Sequence, residues 1–236
     1  IATVFEEAGL PAGVLNVVPG DGPSLGETMI QDPRVRLISF TGSTAVGREI
    51  AVKCARSGKK VTLEMGGKSP LIVLKDADVN YAVDTACFGL FIHQGQICMA
   101  GSRIIVEAPL YQSFLDKFVA KVKTLQVGDP HDPHTVIGPL IRTSQCGFIE
   151  KRIESSTKAG ARVLTGGKYK GNFFEPTVIA DVVPVERHPN YINSRPPHLF
   201  SPHSELDDGL KQAEHKIDCS ANLLLRKGRG QSDHVF

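Results

Sequence analysis

The 236-residue chain lacks an excess of charge of either sign: 27 Lys and Arg stand against 25 Asp and Glu, a formal net charge of +2. Without a large field, electrostatic capture of nucleic acid or of an anionic membrane surface is excluded as its mode of action. No run approaches the roughly 18 consecutive apolar residues of a membrane span, and no basic-apolar-small leader opens the chain. Internal repeats and low-complexity tracts are missing too. The five cysteines (Cys54, Cys87, Cys98, Cys146 and Cys219) are odd in number, widely spaced and without a C-x-x-C pair. That pattern argues against a zinc knuckle or a disulfide framework and leaves reduced thiols in a cytoplasmic compartment as the expectation. His188, His198 and His203 lack metal-ligand spacing, so no metal site is expected.

Residues able to form a core are present in quantity. The AVILMFWYC set makes up 41% of the chain, enough for one large domain or two. Ile1, Val4, Phe5 and Ala8 fall on one helical face, and a chain that starts inside such a pattern is expected to be a piece of something longer. Short apolar runs then alternate with helical stretches. Val14–Val18, Val35–Phe40 and Lys60–Met65 are expected strands, separated by helices over Ser24–Gln31 and Thr44–Ser57. This order implies an α/β fold with a parallel, doubly wound sheet, whose ligands sit at the carboxyl ends of the strands. Beyond Gly66-Gly67 the expected elements are strands at Leu71–Leu74, Ser102–Val106, Arg162–Thr165 and Thr177–Ala180, with helices over Val79–Ile92, Pro109–Leu125 and Thr143–Ala159. From about Pro184 the texture turns irregular, with five of the eight His.

Four segments carry chemistry. In Phe40-Thr41-Gly42-Ser43-Thr44-Ala45-Val46-Gly47 a strand hands over to a helix, where glycine and the first helical N–H groups suit a pyrophosphate; an ordinary Ser43 N-cap explains the same residues. The glycine loop Gly20–Gly26 misses the dinucleotide fingerprint and reads as a turn. Glu64 ends a strand beside Gly66-Gly67, placed for general base work, although a solvated strand-end carboxylate is commoner. Cys98 lies in Gln94-Gly95-Gln96-Ile97-Cys98-Met99-Ala100-Gly101-Ser102, a small-residue loop that suits a thiolate nucleophile. For a single cysteine flanked by Ile97 and Met99, a buried structural thiol is the commoner outcome.

Taken in order, FTGSTAVG, LEMGGKSP and GQICMAGSR resemble the aldehyde dehydrogenase superfamily. Supporting matches run from Leu10–Gly22 through Val127–Ile141 to Thr165-Gly166-Gly167 and Phe174–Val178. The resemblance implies that Cys98 is the nucleophile and Glu64 the base that activates the deacylating water. It implies that Gly42, Ser43 and Thr44 form the pyrophosphate turn of an NAD or NADP site, that Gly47 serves helix packing, and that Met65 lies near the nicotinamide and Gly22 near the adenine. A small aldehyde is the implied substrate, and a homo-oligomer is the expected state of the full-length parent. Residues 1–66 would be the later part of a dinucleotide-binding domain, 67–183 the catalytic domain, and 184–236 its divergent remainder. Absent from the pattern are the family's Lys-Pro-x-Glu segment, its oxyanion Asn, and Glu-x-Phe-Gly-Pro, where His188–Pro197 stands instead. The expectation is therefore a fragment with little or no turnover of its own, or a catalytically silent structural or binding piece.

Overall fold

A computed structural model describes residues 1–67 and 69–182, and the backbones of His198–His203 and Leu223–Leu225. Two compact units divide the chain, Ile1–Met65 and Gly66–Phe236.

In the first unit, helix α1 (Ala2–Glu7) is followed by α2 (Gly22–Gln31), whose start is set by Asp21: its carboxylate accepts from the Ser24 N–H at 2.9 Å, and Pro23 fits the first turn. Strand β1 (Leu37–Gly42) pairs in parallel with β2 (Lys60–Met65), joined by helix α3 (Thr44–Arg56). Lys53 and Arg56 stand in the last turn of α3, where cations oppose the helix dipole. Lys53 also reaches Glu27 of α2 at 2.5 Å, and Lys59 Nζ donates to the carbonyls of Asp32 and Val35.

The third strand expected of this sheet does not form. Val14–Val18 lies in turns and irregular backbone, with Val14, Val17 and Val18 between 65% and 70% exposed. An apolar run becomes a strand only where a neighbouring strand takes up its N–H and C=O groups, and β1 and β2 pair only with each other among the described residues.

The second unit holds most of the core. Its sheet runs β10-β3-β4-β9-β8-β5, built from β3 (Pro70–Val73), β4 (Arg103–Glu107), β5 (Arg162–Thr165), β8 (Val178–Ala180), β9 (His198–His203) and β10 (Leu223–Leu225). All pairings are parallel except β5 with β8. A small hairpin, β6 (Tyr169–Lys170) with β7 (Phe173–Phe174), lies between β5 and β8 in the chain. Helix α4 (Val79–Phe91) starts on an Asp78 cap that accepts from the Tyr81 N–H. Its Ala82, Val83, Ala86, Leu90 and Phe91 pack with Phe114, Leu115, Phe118 and Val122 of α5 (Ala108–Val122) and with Val73, Ile104 and Val106 of the sheet. Phe118 stacks on Phe114 at 5.6 Å and on Phe91 at 6.3 Å between ring centroids. Burial of each such ring contributes roughly 1.5–3 kcal/mol. Helix α6 (Thr143–Lys158) buries Cys146 and Ile153, two turns apart, in a second cluster with Leu140, Phe174 and Ile179.

The irregular tail expected after Pro184 is corrected at two places. His198–His203 forms β9 between β4 and β8, and Leu223–Leu225 forms β10 beside β3. Sheet position outweighs local composition there, because edges offered by β3, β4 and β8 stabilise extended backbone of almost any sequence. His188, the expected place of Glu-x-Phe-Gly-Pro, and Cys219 lie outside the described residues, as does Lys68 of the LEMGGKSP motif.

Candidate active site

The parallel register sets Thr41 opposite Glu64 and Gly42 opposite Met65, so the carboxyl ends of β1 and β2 lie side by side. Helix α3 leaves from that end. Ser43 is its N-cap, with Oγ accepting from the Val46 N–H at 3.4 Å, and its first turn carries no acidic residue to repel an anion. Thr44 and Gly47 are buried. A Cβ on Gly47 would stand 2.7 Å from Met65 Sδ, and one on Gly42 would stand 2.5 Å from the Phe40 ring. Glycine at 47 thus lets α3 lie directly on the end of β2. The turn residues Gly42, Ser43, Thr44 and Gly47 are in this way brought together with Glu64 and Met65. Gly22 is the first residue of α2, with open space where its Cβ would be. Glu64 is exposed.

Cys98 stands on the other unit, past the end of α4. The helix breaks into a short 3-10 turn in which His93 (φ 49°), Gln94 (φ 55°) and Gly95 (φ 69°) all take left-handed backbone. For His93 and Gln94 that conformation costs on the order of 1–2 kcal/mol each, so something must hold it. The Gln96 N–H donates to the His93 carbonyl at 2.9 Å. With its amide oriented to satisfy both ends, Gln94 donates to the same carbonyl at 3.2 Å and accepts from the Gly138 N–H at 3.0 Å. Gln96 Oε1 accepts from the Ile141 N–H at 3.0 Å. After the thiol, the Ala100 N–H closes a turn on the Ile97 carbonyl, and the Gly101 and Ser102 N–H groups donate to Gly89 and Ser69, each at 2.9 Å. The loop returns to the core at buried Ala100 and Ser102.

Between those anchors Cys98 is exposed, and Met99 beside it is 71% exposed. The other described cysteines, Cys54, Cys87 and Cys146, are buried. Burial pushes the Cys87 thiol up to about 11 and raises Cys146 as well, so neither is a nucleophile at neutral pH. A buried structural thiol, the commoner outcome for a cysteine between Ile97 and Met99, is therefore not what forms at 98. His93, near in sequence, is exposed, and its carbonyl is the part that the loop uses.

The tether from Gln94 and Gln96 to Gly138 and Ile141 escaped the sequence reading. Gln96 lies inside the GQICMAGSR motif and Gln94 just before it, but nothing there announces partners more than forty residues away. Among the described residues no cluster of His, Cys, Asp and Glu could hold a metal ion, and no helix is long and apolar enough to cross a membrane.

Comparison with known proteins agrees with these motifs. The aldehyde dehydrogenase family pattern matches residues 1–188. The chain is 47% identical over 184 residues to benzaldehyde dehydrogenase YfmT of Bacillus subtilis (strain 168), covering 78% of this chain and 38% of that protein. It is 45% identical over 186 residues to the mitochondrial aldehyde dehydrogenase of Equus caballus, covering 77% and 37%. The structure of an E194S mutant of aldehyde dehydrogenase from Bacillus cereus superposes with a TM-score of 0.88 at 34% identity, covering 97% of this chain and 47% of that one. The chain spans under half the length of these relatives. By the extent of the family match and the identity of its relatives, the chain belongs to the aldehyde dehydrogenase family.

Proposed function

We propose that this chain carries the nucleophile and the general base of an NAD(P)+-dependent oxidation of an aldehyde to a carboxylic acid. The observation that carries the reading is the exposure of Cys98, the one exposed thiol among the described cysteines, on a loop held at both ends. The Cys98 thiolate adds to the aldehyde carbon, and its own backbone N–H faces the developing oxyanion of the thiohemiacetal. When bound, the nicotinamide cofactor accepts the hydride that leaves that carbon. Water then adds to the resulting Cys98 thioester, Glu64 takes its proton, and the thiolate departs as the acid is released. Gly42, Ser43 and Thr44 would hold the pyrophosphate; the unopposed start of α3 and the Gly47 contact with Met65 fit that group. Met65 would lie against the nicotinamide, and Gly22 near the adenine. Two relatives are named for their cofactors, benzaldehyde dehydrogenase [NAD(+)] of Pseudomonas putida and a probable succinate-semialdehyde dehydrogenase [NADP(+)] of Sinorhizobium fredii, so either nucleotide is compatible.

In this reading residues 1–66 belong to the cofactor domain, 67–183 to the catalytic domain and 184–236 to its remainder. The thiols among the described residues are unpaired, which supports a cytoplasmic setting, and the edges that the two-stranded sheet leaves unpaired among the described residues support self-association. The test is NADH or NADPH formation by the full-length parent over a panel of small aldehydes: Cys98→Ala is expected to abolish it, and activity that survives this change refutes the assignment.

A second reading is a catalytically silent, aldehyde dehydrogenase-like segment. The sequence His188–Pro197, standing where the family pattern has Glu-x-Phe-Gly-Pro, favours it. Robust NADH release by the 236-residue chain alone would end that reading.

A further inference from the structure

We infer that Gln94 and Gln96 are positioning residues for the Cys98 thiol, tying its loop to the Gly138–Ile141 segment. The inference rests on the reading of Cys98 as nucleophile for its functional meaning, but its geometry is independent of that reading.

Both ends of the tether are backbone N–H groups of one short stretch. Gln94 accepts from Gly138 at 3.0 Å, and Gln96 accepts from Ile141 at 3.0 Å. Gly138 suits this approach, since a Cβ there would already lie 3.3 Å from the Gln94 amide atom that faces it. The receiving stretch is itself fixed: Ile137 and Leu140 are buried, and the Leu140 N–H donates to the Asn172 carbonyl at 2.7 Å. The two glutamines therefore join a loop with strained left-handed backbone to a segment packed into both hydrophobic clusters. Without the tether, the loop is free to relax and to bury Met99, now 71% exposed; burial of that side chain is favourable and would draw the adjacent thiol inward. The amides thus oppose an apolar collapse that would hide the nucleophile.

The test compares the 236-residue chain with its Gln96→Leu and Gln96→Glu variants. Leucine removes the acceptor for the Ile141 N–H, whereas glutamate keeps one. Two quantities are read: amide hydrogen exchange in peptides spanning 94–102 and 136–142, and the rate at which iodoacetamide alkylates each cysteine, resolved by peptide mass spectrometry. In Gln96→Leu both peptides should exchange about fivefold faster, the factor set by one solvent-accessible hydrogen bond from a backbone N–H to a side-chain oxygen, and Cys98 alkylation should slow by a factor of about three or more through partial burial. Gln96→Glu should restore both, and Cys54, Cys87 and Cys146 should stay unreactive throughout. Unchanged exchange, an unchanged Cys98 rate, or failure of glutamate to rescue would overturn the inference. So would labelling of the three buried thiols in Gln96→Leu, because the side chain would then hold the whole unit and not the loop. Aldehyde oxidation that survives Cys98→Ala would instead remove the functional reading while leaving the exchange result to judge the tether.

Discussion

Gly166 offers the sharpest test of the packing around the β5–β8 connection. Its φ is 73°, and a Cβ placed on it would lie 2.4 Å from the Pro176 carbonyl oxygen and 2.7 Å from Thr177 Oγ1. The first obstacle is backbone, and the second is a hydroxyl already engaged: Thr177 Oγ1 accepts from the Gly167 N–H at 2.9 Å and donates to the Glu175 carbonyl at 2.7 Å. Neither can retreat without breaking the turn. Alanine at 166 therefore meets left-handed strain on the order of 1–2 kcal/mol together with overpacking of roughly 1–3 kcal/mol, offset by less than about 1 kcal/mol from a less flexible unfolded chain. The expected net loss is about 3 kcal/mol, or roughly 6–12 °C in the melting temperature of a unit of this size. Gly171 is the matched control, with φ 60° and open space around its Cβ; Gly171→Ala should lose only about 1 kcal/mol, the backbone strain alone. Far-UV circular dichroism during heating is the assay. Equal losses for the two variants would refute the claim that Pro176 and Thr177 form a rigid wall.

Iodoacetamide at neutral pH should label Cys98 first among the four described cysteines, with Cys54, Cys87 and Cys146 reacting only on unfolding; early labelling of a buried thiol would contradict the burial pattern. Burial raises the Cys87 thiol from about 9 to about 11, chiefly by desolvation. A group whose folded pKa is raised contributes stability that is complete below its unfolded value and is lost as pH climbs through the folded one. Stability measured by urea titration should accordingly fall between about pH 9 and pH 11, and Cys87→Ala should flatten that part of the slope. An unchanged slope would mean that the thiol ionises in the native state. Asp21→Ala removes the cap from the Ser24 N–H and should cost about 1 kcal/mol of α2 stability, read as faster hydrogen exchange over residues 22–28; unaltered exchange would show that the cap is dispensable.

Legibility in the sequence differed from element to element for physical reasons. Lys60–Met65 was read to the residue, since Gly66-Gly67 bounds the run and β1 lies beside it to take up its backbone groups. Helices α3 and α4 were read within one or two residues because caps and spacing of apolar positions are local signals, and α6 by that spacing without a side-chain cap. Val14–Val18 carries the same strand composition but finds no partner among the described residues, and composition cannot supply one. His198–His203 shows the opposite case: a Pro-containing run becomes β9 because β4 and β8 flank it, even though Pro202, opposite Val106, has no N–H to donate.

The ordered motifs by themselves determined the family, the candidate nucleophile Cys98, the candidate base Glu64 and the glycine turn, because chemistry is carried by residue types at short spacing. Only the tertiary structure decided that Cys98 is exposed while Cys54, Cys87 and Cys146 are not, that Gly47 must be small because Met65 lies against it, and that Gln96 reaches across 45 residues to Ile141. Each of these depends on which distant segments share a surface. That is settled by the packing of the whole unit and by no local preference of the chain.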